Sequence, residues 1–168
     1  MADHVDVAIE DARWSALGLD ALAETAVAAV FAQLGLPRDG YEVSVLACDD
    51  ALIAGLNAEF RSKPVPTNVL SWPAFDLAPE HAGEAPQPLP PGGDGPFDTG
   101  LGDIAIAYDT CMREAAEQGL SAEHHILHLL VHATLHLLGY DHETDADAAR
   151  MEGLEVKTLE TLNVANPY

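Results

Sequence analysis

Residues Ser121 to His142 read SAEHHILHLLVHATLHLLGYDH. From Ile126 to Leu138 apolar side chains fall on nearly every face, the pattern of a helix buried in a core rather than laid upon it. Ser121 is placed to cap this helix, and Glu123 complements the dipole in its first turn. Gly139 supplies the backbone freedom that ends a helix and reverses the chain. A helix with no solvent face needs layers on all sides, so the rest of the chain must supply them.

Working outward, His4 to Glu10 alternates Val5, Val7 and Ile9 with polar neighbours, which predicts a strand. Leu22, Ala23, Ala26, Val27, Val30, Phe31 and Leu34 recur at helical spacing before a terminating Gly35. Tyr41–Cys48 reads as a second strand. Asp49 and Asp50 are placed to cap a short helix whose apolar face is Leu52, Leu56 and Phe60. Val69–Trp72 is a third strand, stopped by Pro73, and Leu101–Ala107 a fourth, with Ile104 and Ile106 on one face. Helices are predicted from Asp109 to Gln118, ended by Gly119, and from Asp145 to Leu162. Between them, residues 75–100 are dense in proline and glycine and read as an extended or irregular insertion with little to pack. Strands and helices mix without regular βαβ alternation. The expected fold is a single α+β domain spanning residues 1–168, with a small mixed four-stranded sheet, packed helices and the histidine helix at its centre.

Composition narrows the functions. Seven basic residues against 28 acidic ones give a formal charge of −21. So few cations cannot make the broad positive surface of an autonomous nucleic-acid binder, so an RNA substrate would need a local cationic site, a metal or a partner. No signal sequence precedes the first strand and no apolar run is long enough to span a bilayer. Cys48 and Cys111 are far apart and outside any CxxC pair, as expected of reduced, buried thiols in a cytoplasmic protein. No membrane or DNA partner is expected. Gly100-Leu-Gly102-Asp-Ile-Ala105 fits a dinucleotide-binding pattern only superficially, because it opens a strand instead of a helix.

The chemistry lies in the histidines. Four residues of helix advance about 400°, so His132 and His136 project from one face, a turn apart. Past the Gly139 bend, His142 can return as a third ligand, and three neutral imidazoles leave the fourth tetrahedral position of a zinc ion open for water. A row of His128, His132 and His136 is the competing arrangement, but its two successive four-residue steps drift by about 40° each and do not surround an ion. The spacing HxxxHxxGxxH is that of metzincin metalloproteases, which makes a zincin-like metal helix the expectation. Those enzymes carry a glutamate general base after the first histidine, and here Ala133 stands in that place, which disfavours peptide hydrolysis by that route. Asp141 and Glu143 are near enough in sequence to serve as acid, base or support for a ligand.

HATLHLLGYDH closely resembles the signature of the YbeY family of bacterial endoribonucleases and rRNA-maturation factors. The likeness extends to Leu56-Asn57-Ala-Glu-Phe60-Arg61, to Pro66-Thr-Asn-Val-Leu-Ser-Trp-Pro73, and to Leu101-Gly-Asp-Ile104. Ala133 replaces a usual glycine and Trp72 a usual phenylalanine. The resemblance implies one Zn2+ held by His132, His136 and His142, and single-strand-specific cleavage of RNA. It implies a part in maturation of the small-subunit rRNA 3′ end and in ribosome quality control, with ribosomal particles and ribosome-associated proteins as partners. It also points to Arg61, whose planar guanidinium grips phosphate and offsets charge in the transition state. A metal-dependent peptidase or amidohydrolase, and a non-catalytic ribosome-assembly factor with a structural metal, are the rival readings.

Overall fold

Alternation does place Val5, Val7 and Ile9 on one side of the first strand, β1 (Val5–Ile9). The fold is described from a computed structural model over residues 4–93 and 98–168. Two helices follow, α1 (Arg13–Leu17) and α2 (Leu19–Leu34), then β2 (Tyr41–Cys48), α3 (Asp50–Arg61), β3 (Val69–Pro73) and β4 (Thr99–Ala107). Helices α4 (Tyr108–Gln118), α5 (Ala122–Leu137) and α6 (Asp145–Thr161) complete the order. The strands line up as β1-β2-β4-β3; β1, β2 and β4 run parallel and only β3 is antiparallel. This is the small mixed four-stranded sheet of a single α+β domain. Pro73 pairs with Gly102 at the sheet's edge, where a missing N–H disrupts nothing.

The inner face of the sheet, with Val43, Val45, Ala47, Ile104 and Ile106, packs into one large core with α2, α5 and α6. Helix α5 runs through it, flanked by α2, α4, α6 and strands β3 and β4, as a helix apolar on all sides requires. Ser121 caps it through His124 N at 3.1 Å, and Asp49 caps α3 through Leu52 N at 2.8 Å, both as the sequence predicts. A smaller core on the outer face joins Cys48, Leu70, Ala105 and Ala107 to Ile53 of α3.

Three expectations change. The buried face of α3 is Ile53 and Asn57; Leu52 and Leu56 are only half-buried and Phe60 is 57 % exposed, because the helix meets the sheet one step further round its axis. Helix α1, five residues long, carries no periodic signal and is pinned by Trp14, whose buried indole N–H donates to Cys48 O at 2.9 Å. The proline-rich excursion has no helix or strand among its described residues before Thr99, yet it is packed. Leu77 is buried, its carbonyl accepts from Gln87 N at 2.8 Å, and Leu89 rests on the main core. Residues 94–97 of that predicted insertion, and 1–3 at the N-terminus, lie outside the described residues.

Two glycines are required by their neighbours. Gly139 has φ 102°, and a Cβ there would stand 2.4 Å from Leu77 O. Gly102 has φ 139° beside a register shift between β2 and β4, with Trp72 O 2.3 Å from where a Cβ would lie. Both cysteines are free and buried, and among the described residues no helix is long and apolar enough to cross a membrane.

Candidate active site

Helix α5 sets His132 and His136 a turn apart on its one incompletely buried stripe, facing a cleft of about 690 Å³. The chain bends at Gly139 and returns His142 to the same cleft, its ring centroid 5.4 Å from that of His132. Arg61, the last residue of α3, and Ser71 of β3 form the facing wall, while Asp141 and Glu143 come from the turn. All six candidate site residues therefore share one cleft.

The ring nitrogens are not left to chance. His132 Nδ1 lies 3.1 Å from Glu155 Oε1, and His136 Nδ1 lies 2.5 Å from Ser71 Oγ. Each imidazole thus has its Nδ1 engaged by the protein and its Nε2 available, the arrangement an outer partner imposes on a histidine that serves an ion. Burial lowers the pKa of His136; His132, His142 and Arg61 push the same way, while Asp141 opposes them. The neutral imidazole, which alone has a lone pair to give, is favoured.

The third imidazole is gathered but not closed on the others. His142 is exposed, and its backbone N–H donates to Asp141 Oδ1 at 2.7 Å. Among the described residues no three His, Cys, Asp or Glu side chains stand close enough together to hold one ion. His142 stands on the turn beyond α5, so the helical spacing that fixes His132 against His136 does not extend to it.

Glu155 is the residue the sequence reading missed. It lies on α6, fully buried, and its Oε1 also receives His128 Nε2 at 3.1 Å, while Tyr168 donates its hydroxyl to Oε2 at 2.8 Å. Burial opposes ionisation, but the hydrogen bonds from His128, His132 and Tyr168 outweigh it and hold the pKa at about 2. His128 therefore shares a carboxylate with His132 instead of extending the row along the helix. The available signal was an acid on the buried stripe of α6, between Met151 and Leu159, where a charge needs partners. Ser71 lay inside a quoted motif without a role, and Tyr168 carried no signal.

The motif asparagines hold the walls in place. Asn57 Nδ2 donates to Val65 O at 2.9 Å, tying down the loop that leaves Arg61 through left-handed Ser62. Asn68 Nδ2 reaches Glu114 at 3.1 Å, the carboxylate that also meets His125 Nε2 at 3.0 Å. Arg61 itself is exposed and forms no ion pair among the described residues, whereas Arg13 is held by Asp11 and Asp109 and Arg38 by Glu24. Ala133 is buried in the main core, so the position where a metzincin carries its base does not open on the cleft.

A family model described as Endoribonuclease YbeY matches residues 5–163. An Endoribonuclease YbeY of Dinoroseobacter shibae is 64% identical over 164 residues, 98% of this chain and 90% of that one. One from Ruegeria sp. is 57% identical over 98% of this chain and 95% of its own length. One from Cereibacter sphaeroides is 52% identical over the whole of both. The solution structure of TM1509 from Thermotoga maritima superposes with a TM-score of 0.58, covering 93% of this chain and 87% of that one at 24% identity, a likeness of fold. With its LNxxFR, PTNVLSWP, LGDI and HxxxHLLGYDH blocks all turned toward one cleft or bracing its walls, the chain belongs to the endoribonuclease YbeY family.

Proposed function

We propose that this protein is a zinc-dependent, single-strand-specific endoribonuclease of rRNA maturation, acting at the small-subunit rRNA 3′ end on ribosomal particles in the cytoplasm. The observation that carries it is the pairing of both helical Nδ1 atoms, by Glu155 and Ser71, which leaves two Nε2 atoms for one ion. The donor set of three imidazoles, two on a buried helix and His142 beyond a glycine bend, suits Zn2+ with an open position, and rotation of His142 completes it. The zincin-like likeness extends to this helix and turn, and not to the general base.

Zinc bound there supplies a Lewis acid and lowers the pKa of its water toward ~7. The rest falls to side chains. Glu155, against Nδ1 of His132, fixes the tautomer and the orientation of that ring. Ser71 orients His136, and burial keeps that ring neutral. Arg61, without an ion pair among the described residues, takes two phosphate oxygens bidentately and offsets the charge that grows on phosphorus. Asp141, which lines the cleft with His136, serves as acid, base or support for a ligand.

The test is to incubate holo-protein and an Arg61→Ala variant with ribosomal particles and map the RNA ends. Metal-dependent new 3′ ends with the wild type and few with the variant are expected; no metal-dependent difference overturns the proposal. A 5′-hydroxyl opposite a cyclic phosphate identifies the 2′-OH as nucleophile, and a simple phosphate end identifies water.

A further inference from the structure

We infer that the groove on the outer face of the sheet, next to the histidine cleft, is a nucleobase subsite for single-stranded RNA, with Phe60 and Trp72 as its stacking wall. The inference rests on the endoribonuclease reading above. Phe60 and Trp72 stand edge to face with ring centroids 5.4 Å apart, and both line the histidine cleft as well as this second groove. The groove has a volume of about 510 Å³, within the range of small-ligand pockets. Ala8, Leu46 and Leu56 give it an apolar lining. Phe60 is 57 % exposed at the end of α3, immediately before Arg61, so the aromatic wall and the phosphate grip are successive residues.

The sheet register gives the groove a polar edge. Asp6 lies opposite Ser44, Ser44 opposite Asp103, and Asp103 opposite Trp72, a row crossing all four strands. Asp6, Ser44 and Asp103 all line the groove. Carboxylates repel phosphate but accept hydrogen bonds from the exocyclic amines of bases. The two sides of the aromatic pair thus sort a strand: backbone toward Arg61, base toward the sheet.

Charge arithmetic supports the same assignment. A chain of net charge −21 gains little from counterion release, and Arg61 and Lys63 are the two cations at this end of α3. Affinity for RNA must then come from uncharged contacts, and stacking on aromatic rings is the strongest of these available to any base.

The test titrates the full chain, in EDTA so that no cleavage competes, with octacytidylate while reading tryptophan fluorescence. Trp14 is fully buried and bonded to Cys48 O, so quenching reports Trp72, and a Trp72→Phe variant must lose it. Octacytidylate is expected to quench, with log Kd rising by about 1.4 per tenfold rise in salt, the value for two phosphate contacts on a single strand. Phe60→Ala, at an exposed position that leaves the cores intact, is expected to weaken binding about five- to hundredfold. An abasic octamer of equal charge is expected not to quench, and octauridylate, lacking the amine, to bind at least about threefold more weakly. Equal binding of the abasic octamer, an unchanged Kd in Phe60→Ala, or Phe60-dependent binding of a lysine-rich peptide in place of octacytidylate overturns the subsite; equal affinity for octauridylate overturns the role of the carboxylates. A separate arm measures cleavage of single-stranded rRNA by the zinc-loaded protein. Failure there with base-dependent binding intact refutes the nuclease reading alone, and cleavage whose KM ignores Phe60→Ala refutes the subsite alone.

Discussion

Replacing Glu155 separates packing from support of His132 as a proposed metal ligand. Its Oε1 faces two imidazole nitrogens at 3.1 Å and its Oε2 a phenol at 2.8 Å, in a pocket closed to solvent. In Glu155→Gln the amide oxygen still accepts from both histidines and the amide N–H2 still meets Tyr168, so the fold loses charge assistance and little else. Without that charge His132 is a poorer donor, and zinc affinity should fall roughly 10–100-fold, about 1.4–2.7 kcal/mol. Glu155→Ala leaves two imidazoles and a hydroxyl facing a void, a loss of about 3–5 kcal/mol and a Tm drop of roughly 6–20 °C for a chain of this length. Competition with a chromophoric chelator reads the first effect and thermal unfolding the second. The pH dependence has a definite sign. The folded pKa, about 2, is below the ordinary 4.5, so the carboxylate stabilises the fold fully above pH 4.5 and loses that contribution as pH falls toward 2. Wild-type and Glu155→Gln melting temperatures should therefore converge across that window. A folded Glu155→Gln protein that binds zinc within twofold of wild type would refute the reasoning.

Gly139→Ala forces a Cβ to within 2.4 Å of Leu77 O at φ 102°, so a loss of at least about 2 kcal/mol is expected, or roughly 4–8 °C in Tm; an unchanged Tm would mean the bend relaxes freely. Arg61→Ala should slow RNA cleavage about 10²–10³-fold while zinc affinity stays within twofold, and Arg61→Lys should recover only part, since an ammonium lacks the bidentate fork; equal loss of zinc would relocate Arg61's role to folding. Burial pushes the Cys48 thiol up to about 12 and Cys111 higher still, so neither should react with Ellman's reagent at pH 8 until the protein unfolds, when both should; fast labelling of the native protein would contradict their burial.

The parts of the fold legible in the sequence are those whose signal is local. Helix α5 announces itself through apolar residues on every face, β1 through the alternation of Val5, Val7 and Ile9 with polar neighbours, and α3 through an aspartate at its cap. Helix α1 exists because a single tryptophan finds a carbonyl 34 residues away, and no window of sequence contains that contact. Phe60 reads as core by spacing, and only the orientation of α3 on the sheet turns it outward. Leu77 is buried because a loop folds back over Gly139, where proline and glycine counts suggest exposure. The site divides the same way. His132, His136 and His142 follow from helix period and a glycine, and Arg61 from a motif. Glu155 joins them from another helix, 23 residues from His132, through a bond that only the packed structure creates.

Zinc K-edge X-ray absorption of the metal-loaded protein, with and without His142→Ala, bears most directly on the claim that three imidazoles hold one catalytic ion. The expected spectrum has three imidazole nitrogens at about 2.0–2.1 Å and a further light scatterer from water, with one imidazole lost in the variant. Two imidazoles in the wild type, or a spectrum indifferent to His142, would contradict it.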